Sequence, residues 1–302
     1  MTLYQRHVFG GSTAGPRLLI LAGIHGDECE PMNAVVKLRD ELATVDIAGQ
    51  VTLVPVANPS AYQHVARVGE DQLDLARTFP GNPGGTLTER LAAQLTKEIA
   101  SVDFLMDLHT GGKQLDILPM TGFMLHPQTE VLALQRQMAM AFGLPYVWGT
   151  SADVDGRSLS AARDAEIPAI YAEFGGGGRF RNEIVTQYVT GCKNVMTSLG
   201  MLAGEPCRAS SKFYCDDPQS GSGHLQICQP APADGIFIAE VRLGDVVRAG
   251  QTIGRIVDLM SGEDQMVMAD RDGIVLALYA QAQIVRGTVT CVIVNFQPFA
   301  ES

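Results

Sequence analysis

From residue 17 to about residue 204, short apolar runs alternate with amphipathic segments, and near residue 205 that alternation stops. A chain patterned this way has to layer helices on a sheet, because each apolar run needs the cover that a neighbouring helical face supplies. The strand-like runs are RLLILAG (17–23), QVTLVPVAN (50–58), VDFLMDLH (102–109) and PAIYAEF (168–174). Between them, TLTERLAAQLTKEIAS sets Thr86 and Glu89 at capping-box spacing, with Leu87, Leu91, Leu95 and Ile99 down one face. EPMNAVVKLRDELA places Pro31 near a helix start, where its missing N–H does no harm. TEVLALQRQMAMAFG and NEIVTQYVTGCKNVMTSLG read as two more helices, each stopped by glycine. The first two-thirds of the chain is therefore expected to be an α/β domain.

Residues 205–224 are polar, Gly/Ser-rich and aperiodic, the texture of a linker or long loop. After them come the β-type runs GIFIAEV, QTIGRIVD, GIVLALYA and TVTCVIVNF, punctuated by glycine and without helical period. The expected organisation is an α/β domain at 1–204, a linker at 205–224 and a smaller all-β domain at 225–302. Within the last, VRLGDVVRAGQTIGRIVD resembles the biotinyl/lipoyl-type barrel-sandwich pattern. Such carriers expose a lysine at a hairpin tip, and the corresponding EDQMVMADRDG contains none. That argues against a carrier and for a structural or pocket-covering role.

A net charge of -11 sets the whole molecule against nucleic acid and anionic membrane as partners. It leaves room for a small anionic substrate, since a few arginines reverse the field inside a pocket. No apolar run approaches the roughly 20 residues of a membrane span, and MTLYQRHVFGGSTAG lacks a signal-peptide pattern. A cytoplasmic location is expected. Cys29, Cys192, Cys207, Cys215, Cys228 and Cys291 are scattered without a C-x-x-C pair, so all are expected as reduced thiols.

The chemistry concentrates at strand ends. His25 and Glu28 follow the first run, His109 ends the third, and Glu173 ends the fourth just before four glycines. In open α/β sheets, ligands gather outside the carboxyl ends of strands. Each residue alone has a plain alternative: a charged surface turn for His25-x-x-Glu28, a core histidine for His109, a surface or capping charge for Glu173. Together, two imidazoles and a carboxylate make a donor set suited to one Zn²⁺ per chain, with Glu173 available to move a proton. His₂-carboxylate sets also accept other divalent ions. EFGGGG lacks the lysine and spacing of a phosphate loop, so its glycines are expected to bring backbone close to a ligand or metal. His64, His126 and His224 have no partner at ligand spacing and read as surface or loop residues; Trp148 fits core or pocket wall.

GIHGDE, NPSAYQHVAR, DLARTFPG, DLHTGG and AEFGGGG, in this order, resemble the succinylglutamate desuccinylase/aspartoacylase family of the zinc-carboxypeptidase superfamily. The likeness runs from about residue 16 to 200, and many members add a C-terminal β module. It implies a zinc-carboxypeptidase-like mixed sheet flanked by helices. It implies too that His25, Glu28 and His109 bind zinc, that Glu173 is general base and then general acid, and that Arg67 stabilises the tetrahedral oxygen. The implied reaction is hydrolysis of the amide bond in a small N-acyl amino acid or related N-acyl amine. The alternatives are a carboxypeptidase or peptide amidase on the same metal, and a non-catalytic binding protein of the same fold. One motif departs from the family. Where the pattern has Asn-Arg to grip a substrate carboxylate, this chain has Ala76-Arg77, so Arg77 remains and the side-chain amide is gone. Arg157, with Arg163 as rival, is a second candidate contact for the substrate's carboxylate. A small β domain beside an α/β domain also offers a surface for a homo-oligomer.

Overall fold

A computed structural model describes residues 2–11, 13–205 and 211–299. Cys207 and positions 206–210 of the expected linker lie outside the described residues.

The chain opens with β1 (His7–Gly10), β2 (Arg17–Ala22), α1 (Cys29–Leu42), β3 (Gln50–Val54) and α2 (Pro59–Gln63). A single 3-10 turn, Leu75–Arg77, precedes α3 (Leu87–Ile99). Next come β4 (Phe104–His109), β5 (Leu115–Met124), α4 (Thr129–Phe142), β6 (Tyr146–Thr150), α5 (Ser158–Asp164), β7 (Ala169–Gly176) and α6 (Asn182–Ser198). The remainder is β8 (Phe213–Asp216), a 3-10 turn Leu225–Ile227, β9 (Gly235–Ala239), β10 (Val246–Val247), β11 (Thr252–Val257), β12 (Asp264–Met268), β13 (Gly273–Tyr279), β14 (Gln283–Ile284), β15 (Cys291–Val294) and β16 (Gln297–Pro298).

The main sheet runs β1-β3-β2-β4-β7-β5-β6-β8-β16 and is mixed. β3, β2, β4 and β7 are parallel, whereas β5 returns antiparallel to β7. Strand alternation fixes what each face holds. On β2, Leu18, Ile20 and Ala22 join the core beneath α1, α4 and α6; Leu19 and Leu21 join the opposite core beneath α3 and α5. β4 and β7 obey the same period: Met106, Leu108, Ile170, Ala172 and Phe174 enter the first core, Leu105 and Ala169 the second. Asp107, His109, Tyr171 and Glu173 therefore take the α3/α5 side, alternating with core residues. Thr86 and Glu89 form the capping box that starts α3, and Gly143 ends α4 in the left-handed conformation.

The stretch expected as a linker is more structured than its composition suggests. β8 lies within 205–224 and pairs in parallel with β6, through Trp148↔Cys215 among others. The following β-rich segment is also hydrogen-bonded to the main sheet, because β13 pairs with β5 at Ala277↔Ile117. Leu115 and Ile117 pack with Ile274, Leu276 and Val292 in one shared core. A second sheet, β12-β11-β9-β14, closes over its own core of Phe237, Ile253, Ile256 and Val267. Trp148 is core, stacked edge-on to Phe296 and absent from the cavity lining. The five described cysteines are free thiols. Among the described residues, no helix is long and apolar enough to cross a membrane.

Candidate active site

Glu28 stands at the N-cap of α1, yet its side chain caps nothing there. The carboxylate instead lies between two imidazoles: His25 Nδ1 is 2.6 Å from Oε1 and His109 Nδ1 is 2.9 Å from Oε2. The Thr110 backbone N–H donates to the same Oε2 at 3.2 Å. His25 and Glu28 come from the turn after β2, and His109 ends β4 beside it. Ligand atoms of all three residues lie within 4.8 Å of one another, and the cluster can hold a metal ion.

Each imidazole has a second carboxylate behind it. His25 Nε2 is 3.1 Å from Asp74 Oδ1, and His109 Nε2 is 3.2 Å from Asp107 Oδ2. With a metal ion in the cluster, each Nε2 would donate to its aspartate and each Nδ1 would turn its lone pair to the ion, the arrangement that orients ligand histidines in metal sites. Asp107 is held by the Ser158 hydroxyl. Asp74 also accepts from the Ala76 N–H at 2.9 Å and from Arg67 Nε at 3.0 Å, which ties the DLAR motif to both the histidine and the arginine. Neither aspartate was singled out in the sequence, although both begin quoted motifs.

The charges are consistent with a cation at the centre. Burial opposes ionisation of Glu28, but the imidazoles of His25 and His109 overcome it and hold the carboxyl well below its usual range. Burial likewise opposes ionisation of Asp74, and His25, Arg67 and Arg77 outweigh it. His109 is pushed the other way: burial disfavours its charge, and Asp107 and Glu28 raise its pKa well above the ordinary value. A divalent ion answers the same excess of carboxylate, and the mixed nitrogen and oxygen donors fit it.

Glu173 is the register neighbour of His109 across β4 and β7. It lines a cavity of about 70 Å³ with His25, Arg67, Arg77, His109 and Arg157. That volume suits a few waters or a short acyl group. Burial raises the Glu173 pKa, with Glu28 adding to the rise and His109, Arg67 and His25 opposing it. Arg157 Nη1 donates to the Gly223 carbonyl at 2.8 Å, while its Nε and Nη2 are buried without a partner. Arg163 pairs instead with Asp155 and Asp164, outside the cavity lining.

Several further positions emerge only in three dimensions. Tyr171 lines the cavity with its hydroxyl buried and unpartnered. His126 is buried rather than superficial, its Nδ1 accepting from the Gln128 N–H. His224 is half-buried near the arginines; burial and the charges of Arg77, Arg157 and Arg67 lower its pKa to about 4. At EFGGGG the backbone packs closely against its neighbours. A Cβ on Gly176 would sit 2.3 Å from the Leu115 carbonyl oxygen, at a φ of +106°.

The succinylglutamate desuccinylase/aspartoacylase catalytic domain matches residues 14–199, and the chain belongs to that family. An N-alpha-acetyl-L-2,4-diaminobutyric acid deacetylase of Halomonas elongata is 32% identical over 287 residues, spanning 92% of this chain and 82% of that protein. Among solved structures, a succinylglutamate desuccinylase from Silicibacter sp. TM1040 superposes with a TM-score of 0.86 at 26% identity, covering 97% of this chain and 89% of that one. The product-bound ectoine utilization protein EutE (DoeB) of Ruegeria pomeroyi gives 0.85 at 27% identity, covering 95% and 87%.

Proposed function

We propose that this protein is a zinc-dependent deacylase that hydrolyses the amide bond of a small N-acyl amino acid in the cytoplasm, with one Zn²⁺ per chain held by His25, Glu28 and His109. Support comes chiefly from one observation: the half-buried, pKa-raised Glu173 stands beside His109 in a cavity that also holds three arginines. The relative named for deacetylation of an N-acetyl diamino acid agrees with an N-acyl amino acid as substrate.

When bound, a divalent metal in this donor set supplies Lewis acidity and a water acidified to a pKa of about 7. Glu173 takes a proton from the attacking water and returns it to the amine nitrogen as the C–N bond breaks. A carboxyl raised above its usual range is a stronger proton acceptor than an ordinary glutamate, which suits the first of these transfers. Arg67, fixed by Asp74, stabilises negative charge on the former carbonyl oxygen. Arg157 and Arg77 hold the carboxylate of the amino-acid half, and the unpartnered N–H groups of Arg157 give it two donors. In this reading 1–204 is the catalytic domain, and 225–302 is the β-rich domain that completes the cavity with Leu225 and Gln226.

The test is to measure bound metal in purified protein and assay amine release from N-acetyl, N-succinyl and N-formyl amino acids, N-acetyl-2,4-diaminobutyrate and dipeptides. Turnover of acyl amino acids that chelation abolishes and Zn²⁺ restores is the expected result. Cleavage of dipeptides alone would move the protein to a carboxypeptidase.

A further inference from the structure

The arginines of the cavity are capped from one short turn. Arg157 Nη1 donates to the Gly223 carbonyl, and Arg77 Nη2 donates to Gln226 Oε1 at 2.6 Å. The turn is anchored at both ends: Leu225 is buried in the core shared with β13 and β15, and Ser222 Oγ accepts from the Ser151 N–H at 2.7 Å. Because guanidinium only donates, Gln226 must turn its oxygen to Arg77, which leaves its NH₂ free to donate elsewhere. Among the described residues that NH₂ has no acceptor. Ala76, which lines the same cavity, brings only a methyl group.

We propose that Gln226 is a specificity-determining residue that binds the substrate carboxylate together with Arg77, supplying from 150 positions downstream the side-chain amide that position 76 lacks. This rests on the deacylase reading only in taking the ligand to be a carboxylate on the amino-acid half. An oxygen of that group placed between Arg77 and the Gln226 NH₂ receives a charged and a neutral hydrogen bond, and Arg157 reaches the same anion through its unpartnered N–H groups. The charge balance favours an anion as well. Arg67, Arg77 and Arg157 line the cavity against two lining carboxylates, Asp107 and Glu173; Asp107 is engaged by His109, and Asp74 by Arg67 and His25. Burial first, then the Arg157 charge, lowers the Arg77 pKa to about 10 against the opposing pull of Asp74 and Glu173.

The test compares wild type, Gln226→Ala and the double variant Ala76→Asn/Gln226→Ala on the best acyl amino acid and on the same compound with its carboxylate capped as a primary amide. Gln226→Ala should raise KM about tenfold for the acid, with kcat within about twofold and little change for the amide. The double variant should regain most of the lost affinity. An unchanged KM, or equal rises on acid and amide, would overturn the inference. Metal content and Tm equal to wild type exclude a folding defect. If wild type turns over nothing in the panel, the deacylase reading fails by itself. Calorimetric binding of N-acetylglycine then decides: about tenfold weaker binding to Gln226→Ala supports the inference, and equal binding overturns it.

Discussion

His109 and Glu173 are paired in register on the adjacent parallel strands β4 and β7, so a member of the candidate metal cluster and the half-buried carboxyl beside it are set by one backbone ladder. Glu173→Gln keeps the size and burial of the side chain and removes its proton transfer. We expect unchanged metal content and Tm, with kcat down about 10²–10⁴-fold. Full turnover in this variant would refute the assignment of Glu173 as base.

Asp107 acts through His109. Its carboxylate meets His109 Nε2 at 3.2 Å and is itself braced by Ser158. Asp107→Asn weakens the orientation of that imidazole and should cut metal affinity about 10–100-fold. Competition with a chromophoric chelator measures this directly. Affinity equal to wild type would mean that the aspartate only packs.

Tyr171 carries a buried hydroxyl that has no hydrogen-bond partner among the described residues. Burial and the nearby Glu173 charge raise its pKa far above the ordinary value, so it stays a neutral donor. Tyr171→Phe removes an unpaired polar group and should leave Tm unchanged or slightly higher. If the hydroxyl meets substrate, KM rises about tenfold. A fall in Tm with unchanged KM would assign the hydroxyl to the fold instead.

Much of this arrangement was legible because the relevant strands are continuous apolar runs. β2, β4 and β7 announce themselves through short runs dense in Leu, Ile, Ala, Phe and Met, and a His or Glu at the end of such a run stands out. β5 escaped because LDILPMTGFM contains Pro119 and Gly122, which read as loop. β8 escaped because four residues inside a polar stretch carry no period, and pairing with β6 alone makes them a strand. Tyr171 looked like one more aromatic in a strand; its exposure to the cavity follows from the alternation that also orients Glu173. The contact of Arg77 with Gln226 spans 149 positions, and no local pattern encodes it. The candidate metal-cluster positions are local to strand ends, whereas the contact of Arg77 with Gln226 is assembled by tertiary folding.

His224 gives the protein a pH signature. Its pKa of about 4, against an ordinary 6.5, reflects burial first and then the charges of Arg77, Arg157 and Arg67. The unfolded chain therefore binds more protons than the native one between those values. The stabilising contribution is complete above pH 6.5 and declines as pH falls through the window to about 4. Partial exposure keeps its size modest. His224→Asn should narrow the Tm difference between pH 7.5 and 5, and a bound carboxylate should raise the His224 pKa. A histidine titration by NMR near 6.5 would contradict both statements.

Gly176 separates backbone strain from collision. A φ of +106° disfavours any L side chain there, and a Cβ would also meet the Leu115 carbonyl oxygen at 2.3 Å. That carbonyl accepts from the Gly177 N–H at 2.8 Å, so displacing it disturbs the joint between β5 and β7 next to Glu173. Gly200 is the control: its φ is +71°, and a Cβ there meets nothing within 4 Å. Gly200→Ala should cost only the left-handed penalty, about 1–2 kcal/mol. Gly176→Ala should cost more by urea denaturation and lower kcat as well, because the clash pushes on the strand that carries Glu173. Equal losses in the two variants would show that β7 has room to shift, and that the tight β5–β7 contact does not hold Glu173 in place.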